Sequence, residues 1–199
     1  MRPKLTRDRA DRAALAARIA AIGGFVALIV VLLEIATGAP ISWLGDLALI
    51  AMTLAIGPMM LGSYELGGVT PLWPSRLSLA GGIAGTVVWS MIQLAALAGI
   101  VPSNGGAPDS GVRLVADVAL IVVGLWLTGA PPLAGPWLPS RLRWLGALSG
   151  LAFVLVGLGP IIGGDRTIGV IGGLGYVILF PIWAFLMARV FRTQAARAS

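Results

Sequence analysis

Residues 17–37 read ARIAAIGGFVALIVVLLEIAT, in which Arg18 near the start and Glu34 near the end are the only charges. A helix of that length covers about 30 Å, the thickness of a bilayer's hydrocarbon core, so the stretch reads as a transmembrane helix. Five more runs of the same kind follow at 44–65, 79–100, 112–129, 142–162 and 168–190, with only short connections between them. Inside lipid each backbone polar group must be satisfied within its own segment, so six such runs imply an all-α, polytopic bundle of six transmembrane helices. Composition agrees: 58% hydrophobic and 11% charged residues leave too little polar surface for a soluble globule of 199 residues. The chain divides into a basic N-terminal arm (1–16), a six-helix domain (17–192) and a short tail (193–199).

The cations set the expected orientation. Arg113 and Arg166 lie in or at the edge of connections on one side; the other twelve of the 14 Lys and Arg lie before or at the start of the first run, in or at the edge of the second and fourth connections, or near the C-terminus. Lys and Arg concentrate on cytoplasmic loops, so both termini are predicted to be cytoplasmic and the location to be the cell's inner membrane. The net charge of +6 is then a consequence of topology, matched to anionic headgroups, and no nucleic-acid partner is expected. Arg-rich residues ahead of an apolar run also raise a secretory signal, but this run exceeds the usual 7 to 15 residues and is predicted to be retained. The outer connection near 101–111, VPSNGGAPDSG, is made of turn formers with nothing to bury and is expected to be a mobile loop.

A motif pair suggests duplication. Asp46-Leu-Ala-Leu-Ile recurs as Asp117-Val-Ala-Leu-Ile, and Pro74-Ser-Arg-Leu recurs as Pro139-Ser-Arg-Leu, each of the latter followed at equal spacing by two glycines. Hairpins at about 44–100 and 112–162 would then be parallel copies related by an axis along the membrane normal. Arg76 and Arg141 anchor the repeated helix starts at headgroups, with Trp73, Trp137 and Trp144 as an inner aromatic belt and Trp43 as its outer counterpart. Gly81 and Gly85, Gly146 and Gly150, and Gly172 and Gly173 in the last run are candidate close-packing positions, since small residues let membrane helices approach.

Ionisable groups within hydrocarbon are the functional pointers in such a chain, because each is costly unless paired or wetted. Glu34, Asp46, Gln93 and Asp117 all fall toward the outer half and form a candidate polar cluster, with Arg113 one turn from Asp117 as a pairing partner. Two repeat-related carboxylates at one depth would suit a cation or proton. At the opposite end Tyr64 and Glu65 are expected to meet Arg76, and Pro181 is expected to kink the last helix.

Enzyme chemistry finds little support. With no cysteine and no histidine, disulfides, thiol catalysis, iron–sulfur ligation, imidazole bases, haem ligation by imidazole and most zinc sites are excluded, and no cofactor is expected. Gly146-Ala-Leu-Ser149-Gly150 misses the rhomboid protease spacing by one residue, and Gly163-Gly164-Asp165 lacks the first glycine of the intramembrane aspartyl protease motif.

Pro139-Ser140-Arg141-Leu142 with Trp144-Leu145-Gly146, then Gly175-Tyr176 and Pro181-Ile182-Trp183, resemble six-helix integral membrane proteins of bacteria, over about the C-terminal third. The resemblance implies the fold and carries no activity. Two functions are expected to compete: a non-catalytic component that binds membrane lipids, a membrane protein partner or a second copy, and a small transporter or channel-like protein using the acidic cluster.

Overall fold

The computed structural model describes residues 6–67, 73–101, 103–104, 107–108, 110–133, 137–162 and 166–198. Six helices dominate: α1 (Arg7–Thr37), α2 (Ser42–Gly67), α3 (Trp73–Leu97), α4 (Ser110–Leu133), α5 (Ser140–Ile161) and α6 (Arg166–Ala198). Each contains a stretch long and apolar enough to cross a membrane. The protein is thus built as a multi-pass membrane bundle. Every helix packs on the next along the chain, and α6 returns to α1, which closes the circuit.

Two helices, α1 and α6, exceed their apolar runs the most, by about three turns each. α1 begins at Arg7, ten residues before the run at 17–37, and its 31 residues extend about 46 Å against about 30 Å of hydrocarbon. Residues 7–16 of the basic arm are helical and continuous with the spanning segment. The physical cause is a seam of small side chains: Ala10, Ala13, Ala17, Ala20, Gly24 and Ala27 recur every three or four residues and are all buried. That face lies on α6, where Ala184, Ala188, Phe191 and Ala195 are buried in turn. The register is fixed at both ends, by Ala10 clustering with Ala195 and by Gly24, whose missing Cβ leaves room for the Pro181 ring. Pro181 lies inside a continuous α6 and fills this notch.

α1 ends at Gly38, whose N–H donates to the Glu34 carbonyl at 2.8 Å and whose φ of 67° turns the following chain out of the helix. Gly99 turns the chain after α3 with φ 68°; its N–H donates to the Ala96 carbonyl at 3.1 Å and the Ile100 N–H to the Ala95 carbonyl at 2.9 Å. Both are left-handed helix ends, for which glycine has no steric penalty. The following connection differs from the expected unstructured loop. It holds two short antiparallel strands, β1 (Ser103–Asn104) and β2 (Ala107–Pro108), with Ser103 paired to Pro108 and Asn104 to Ala107. Gly105 and Gly106 lie outside the described residues, but a Gly-Gly pair between short extended segments is a hairpin signal that the sequence carried.

Along the bundle axis the core is aromatic and thioether-rich. Phe153 meets Tyr176 edge-on at 4.5 Å between ring centres and Phe180 at 5.2 Å, and Met52, Met59, Met60 and Met187 fill the spaces between helices. Trp183 donates its indole N–H to the Leu142 carbonyl at 3.0 Å, joining α6 to α5. Outward, α1, α4 and α6 present leucines, isoleucines and valines, the surface that lipid solvates.

Candidate functional site

Carboxylates at the end of the bundle carrying the α1–α2 turn come from separate helices. Glu34 lies three residues before the end of α1 and Asp46 five residues into α2. Gly45 is buried beneath Val30, which holds the two helix ends together. Glu34 and Asp46 are both half-buried at this end, and the like charge of Glu34 acts on Asp46. Two helices further round, Arg113 and Asp117 form an ion pair at 3.8 Å across one turn of α4. Asp117 is the more sheltered partner, its side chain 13% exposed against 47% for Arg113. Beside it α5 comes very close: a Cβ at Gly157 would lie 2.5 Å from the Asp117 carbonyl oxygen.

Gln93 is half-buried on α3. A Cβ at Gly85 would meet Ala119 O at 2.8 Å and Val123 Cγ2 at 3.0 Å, and two turns further along this antiparallel pair Gln93 comes level with Arg113. No side-chain hydrogen bond joins them among the described residues. Of the five polar residues singled out, the fold therefore gathers two pairs, Glu34 with Asp46 and Arg113 with Asp117. No ion pair or hydrogen bond links one pair to the other among the described residues. Nor do the described Asp and Glu residues form a group of three able to hold a metal ion.

At the opposite end, where α1 starts and α6 finishes, the expected meeting of Glu65 with Arg76 is replaced by an ion pair between Arg9 and Glu65. The helical extension of α1 explains it: Ala13 packs against Gly62 of α2, and one turn back along α1 Arg9 arrives level with Glu65. Arg76 and Arg141 are both exposed, as suits headgroup contact. Trp43 and Trp144 are exposed too, at 52% and 68%. Trp137 differs: its ring packs on the core and its indole N–H is buried without a hydrogen-bond partner among the described residues. Trp73 opens α3, and its side chain lies outside the described residues.

The glycines divide by use. Gly85 packs on α4, Gly150 on α4 and Gly172 on α5, each at backbone distance. Gly81 makes an ordinary contact with Val122, Gly146 is buried, and Gly173 has open space where a side chain would be. Gly85 and Gly150, matched by motif, do different work: one joins α3 to the following hairpin, the other joins α5 to the helix before it. Gly23, Gly24, Gly62, Gly124 and Gly157 are close contacts that motif matching passed over. Ser149, the residue nearest to a protease motif, is buried and donates to the Leu145 carbonyl at 2.7 Å.

These features define a class, a six-helix membrane bundle with polar pairs near its ends and a closely packed middle. In comparisons with protein-family models, curated proteins and solved structures, none matches this chain. Function is accordingly argued from its own side chains.

Proposed function

We propose that this chain is a non-catalytic inner-membrane protein, an accessory component that binds a membrane partner or lipid, with both termini cytoplasmic. One observation carries the reading. The middle of the bundle is filled by buried Met52, Ile56, Met60, Phe153, Phe180 and Trp183, and among the described residues no Asp, Glu, Lys or Arg is fully buried with them. A carrier that moves a cation through the middle needs a counter-charge at that depth, since an unpaired charge in hydrocarbon is too costly. The exposed side of α1 supplies a surface for binding instead. Leu15, Ile19, Ile22, Val26, Ile29 and Leu33 alternate four and three residues apart, all exposed, and so form one straight apolar seam. In lipid such a seam gains from packing against another helix or ordered acyl chains.

The parallel duplication belongs to this reading, with α2–α3 as one copy and α4–α5 as the other. Superposition about an axis along the membrane normal is expected to bring Asp46 near Asp117 and Arg76 near Arg141; a best fit that inverts one hairpin ends it.

The test is purification from native membranes in mild detergent, with identification of co-purifying lipids and proteins, and crosslinking from a cysteine placed at Ile22. Specific crosslinks from Ile22 that vanish from a cysteine on α4 support the proposal. The competing reading, a small transporter or channel-like protein for a cation or proton, draws on Arg113–Asp117 and Glu34–Asp46. It prevails if liposomes bearing the parent protein show an ion or proton flux that Asp117→Asn abolishes while expression and thermal stability hold.

A further inference from the structure

Four Ser or Thr side chains are fully buried among the described residues: Thr53, Thr86, Ser90 and Ser149. Three satisfy themselves on their own helix, as hydroxyls in membrane helices do. Thr53 donates to the Leu49 carbonyl at 2.9 Å, Thr86 to Ile83 at 2.7 Å and Ser149 to Leu145 at 2.7 Å. Ser90 does not. Its Oγ is completely buried and has no hydrogen-bond partner among the described residues. An unmade hydrogen bond is especially costly where the surroundings are hydrocarbon.

What lies opposite Ser90 follows from helix register. A Cβ at Gly57 of α2 would sit 3.8 Å from the Thr86 hydroxyl of α3, and one at Gly82 would touch Met60, so the two helices run antiparallel with Gly57 level with Thr86. Ser90 is one turn after Thr86 on the same face, and Thr53 is one turn before Gly57. They are therefore level. Thr53 already has a partner from a third helix, the Tyr176 hydroxyl of α6 at 3.3 Å. Since the Thr53 proton is spent on the Leu49 carbonyl, Tyr176 is the donor in that contact, and its own oxygen keeps lone pairs free to accept. Three hydroxyls from α2, α3 and α6 thus fall at one level in an otherwise apolar core, and one of them lacks a partner among the described residues.

We propose that Ser90, Thr53 and Tyr176 form an internal binding site for a single water molecule, which bridges α3 to the Thr53–Tyr176 contact at mid-bundle. A water in such a site typically makes two to four hydrogen bonds to buried polar groups, and these three oxygens supply that number. The role is to tie three helices across the axis without a buried charge.

The test exploits a difference of sign. If Ser90 is dry, Ser90→Ala removes an unsatisfied hydroxyl and leaves the thermal midpoint of the detergent-solubilised protein unchanged or raised. With a bridging water, Ser90→Ala lowers the midpoint by on the order of 2 to 4 °C. Ser90→Ala combined with Tyr176→Phe then falls by clearly less than the two single effects together, because both break one network. Tyr176→Phe keeps the ring and so keeps the fold. A spectroscopic arm uses Tyr64→Phe, which leaves Tyr176 as the only tyrosine: its phenolic C–O stretch is expected to shift in Ser90→Ala. An unchanged or raised midpoint, additive effects, or an unmoved C–O stretch overturns the proposal, additivity being the result if Ser90 instead turns to its own helix carbonyl.

Discussion

Gly150→Ala and Gly173→Ala should move stability in opposite directions, although the sequence offers both glycines as packing positions. A Cβ at Gly150 would stand 2.6 Å from the Gly124 carbonyl oxygen and 2.6 Å from the Thr128 hydroxyl, with the Thr128 backbone nitrogen closer still. Ordinary contact begins near 3.4 Å, so α4 and α5 must part locally by at least about 0.8 Å. A gap of 0.5 to 1 Å already forfeits a quarter to a half of the dispersion energy of each atom pair it opens. Overpacking of this kind costs about 1 to 3 kcal/mol, from which alanine's better helix propensity recovers about 0.5 to 1 kcal/mol. The expected net loss for Gly150→Ala is about 1 to 2 kcal/mol. At Gly173 nothing lies within 4 Å, so only the propensity gain remains and the variant should be neutral or stabilised by up to about 1 kcal/mol. The assay is reversible unfolding in mixed micelles titrated with a denaturing detergent, following tryptophan fluorescence. Equal effects at the two positions, or a stabilised Gly150→Ala, would refute the close helix approach.

Three further outcomes are expected. Single cysteines have no background in this chain, so one at Ser199 should resist an impermeant reagent in intact cells while one at Asn104 is labelled; the reverse pattern overturns the cytoplasmic placement of the termini. A double-mutant cycle on Arg9→Ala and Glu65→Ala should give a coupling of about 0.2 to 1 kcal/mol that shrinks with added salt, because Arg9 is largely exposed, and no coupling between Arg76 and Glu65. Trp183→Phe keeps the ring in the core but leaves the Leu142 carbonyl without its indole donor, so a loss of about 1 to 2 kcal/mol is expected in the same unfolding assay.

Much of the polar architecture was hidden from a linear reading for one reason: local spacing reports which residues share a helix face, not which helix that face meets. Arg113 and Asp117 were legible as a pair because they are one turn apart. Glu65 was assigned to Arg76 by sequence proximity, whereas its partner Arg9 lies 56 residues away. The alanine seam of α1 is present in the sequence as a three-four repeat of small residues that runs through the basic arm, but only its packing on α6 shows that the arm and the span share one helix.

Sequence by itself determined that this protein is six apolar helices, because length and hydropathy against a fixed bilayer thickness leave one solution for the backbone's hydrogen bonds. It did not place every helix end: the third apolar run reads through to Ile100, whereas α3 stops at Leu97 and the chain turns at Gly99, whose left-handed φ suits glycine. The tertiary structure decided the rest. Which glycines touch backbone, which acids face each other and which hydroxyl is left over depend on rotations and registers between helices. Those are set by the summed fit of many small contacts across the bundle, and no single residue encodes that sum.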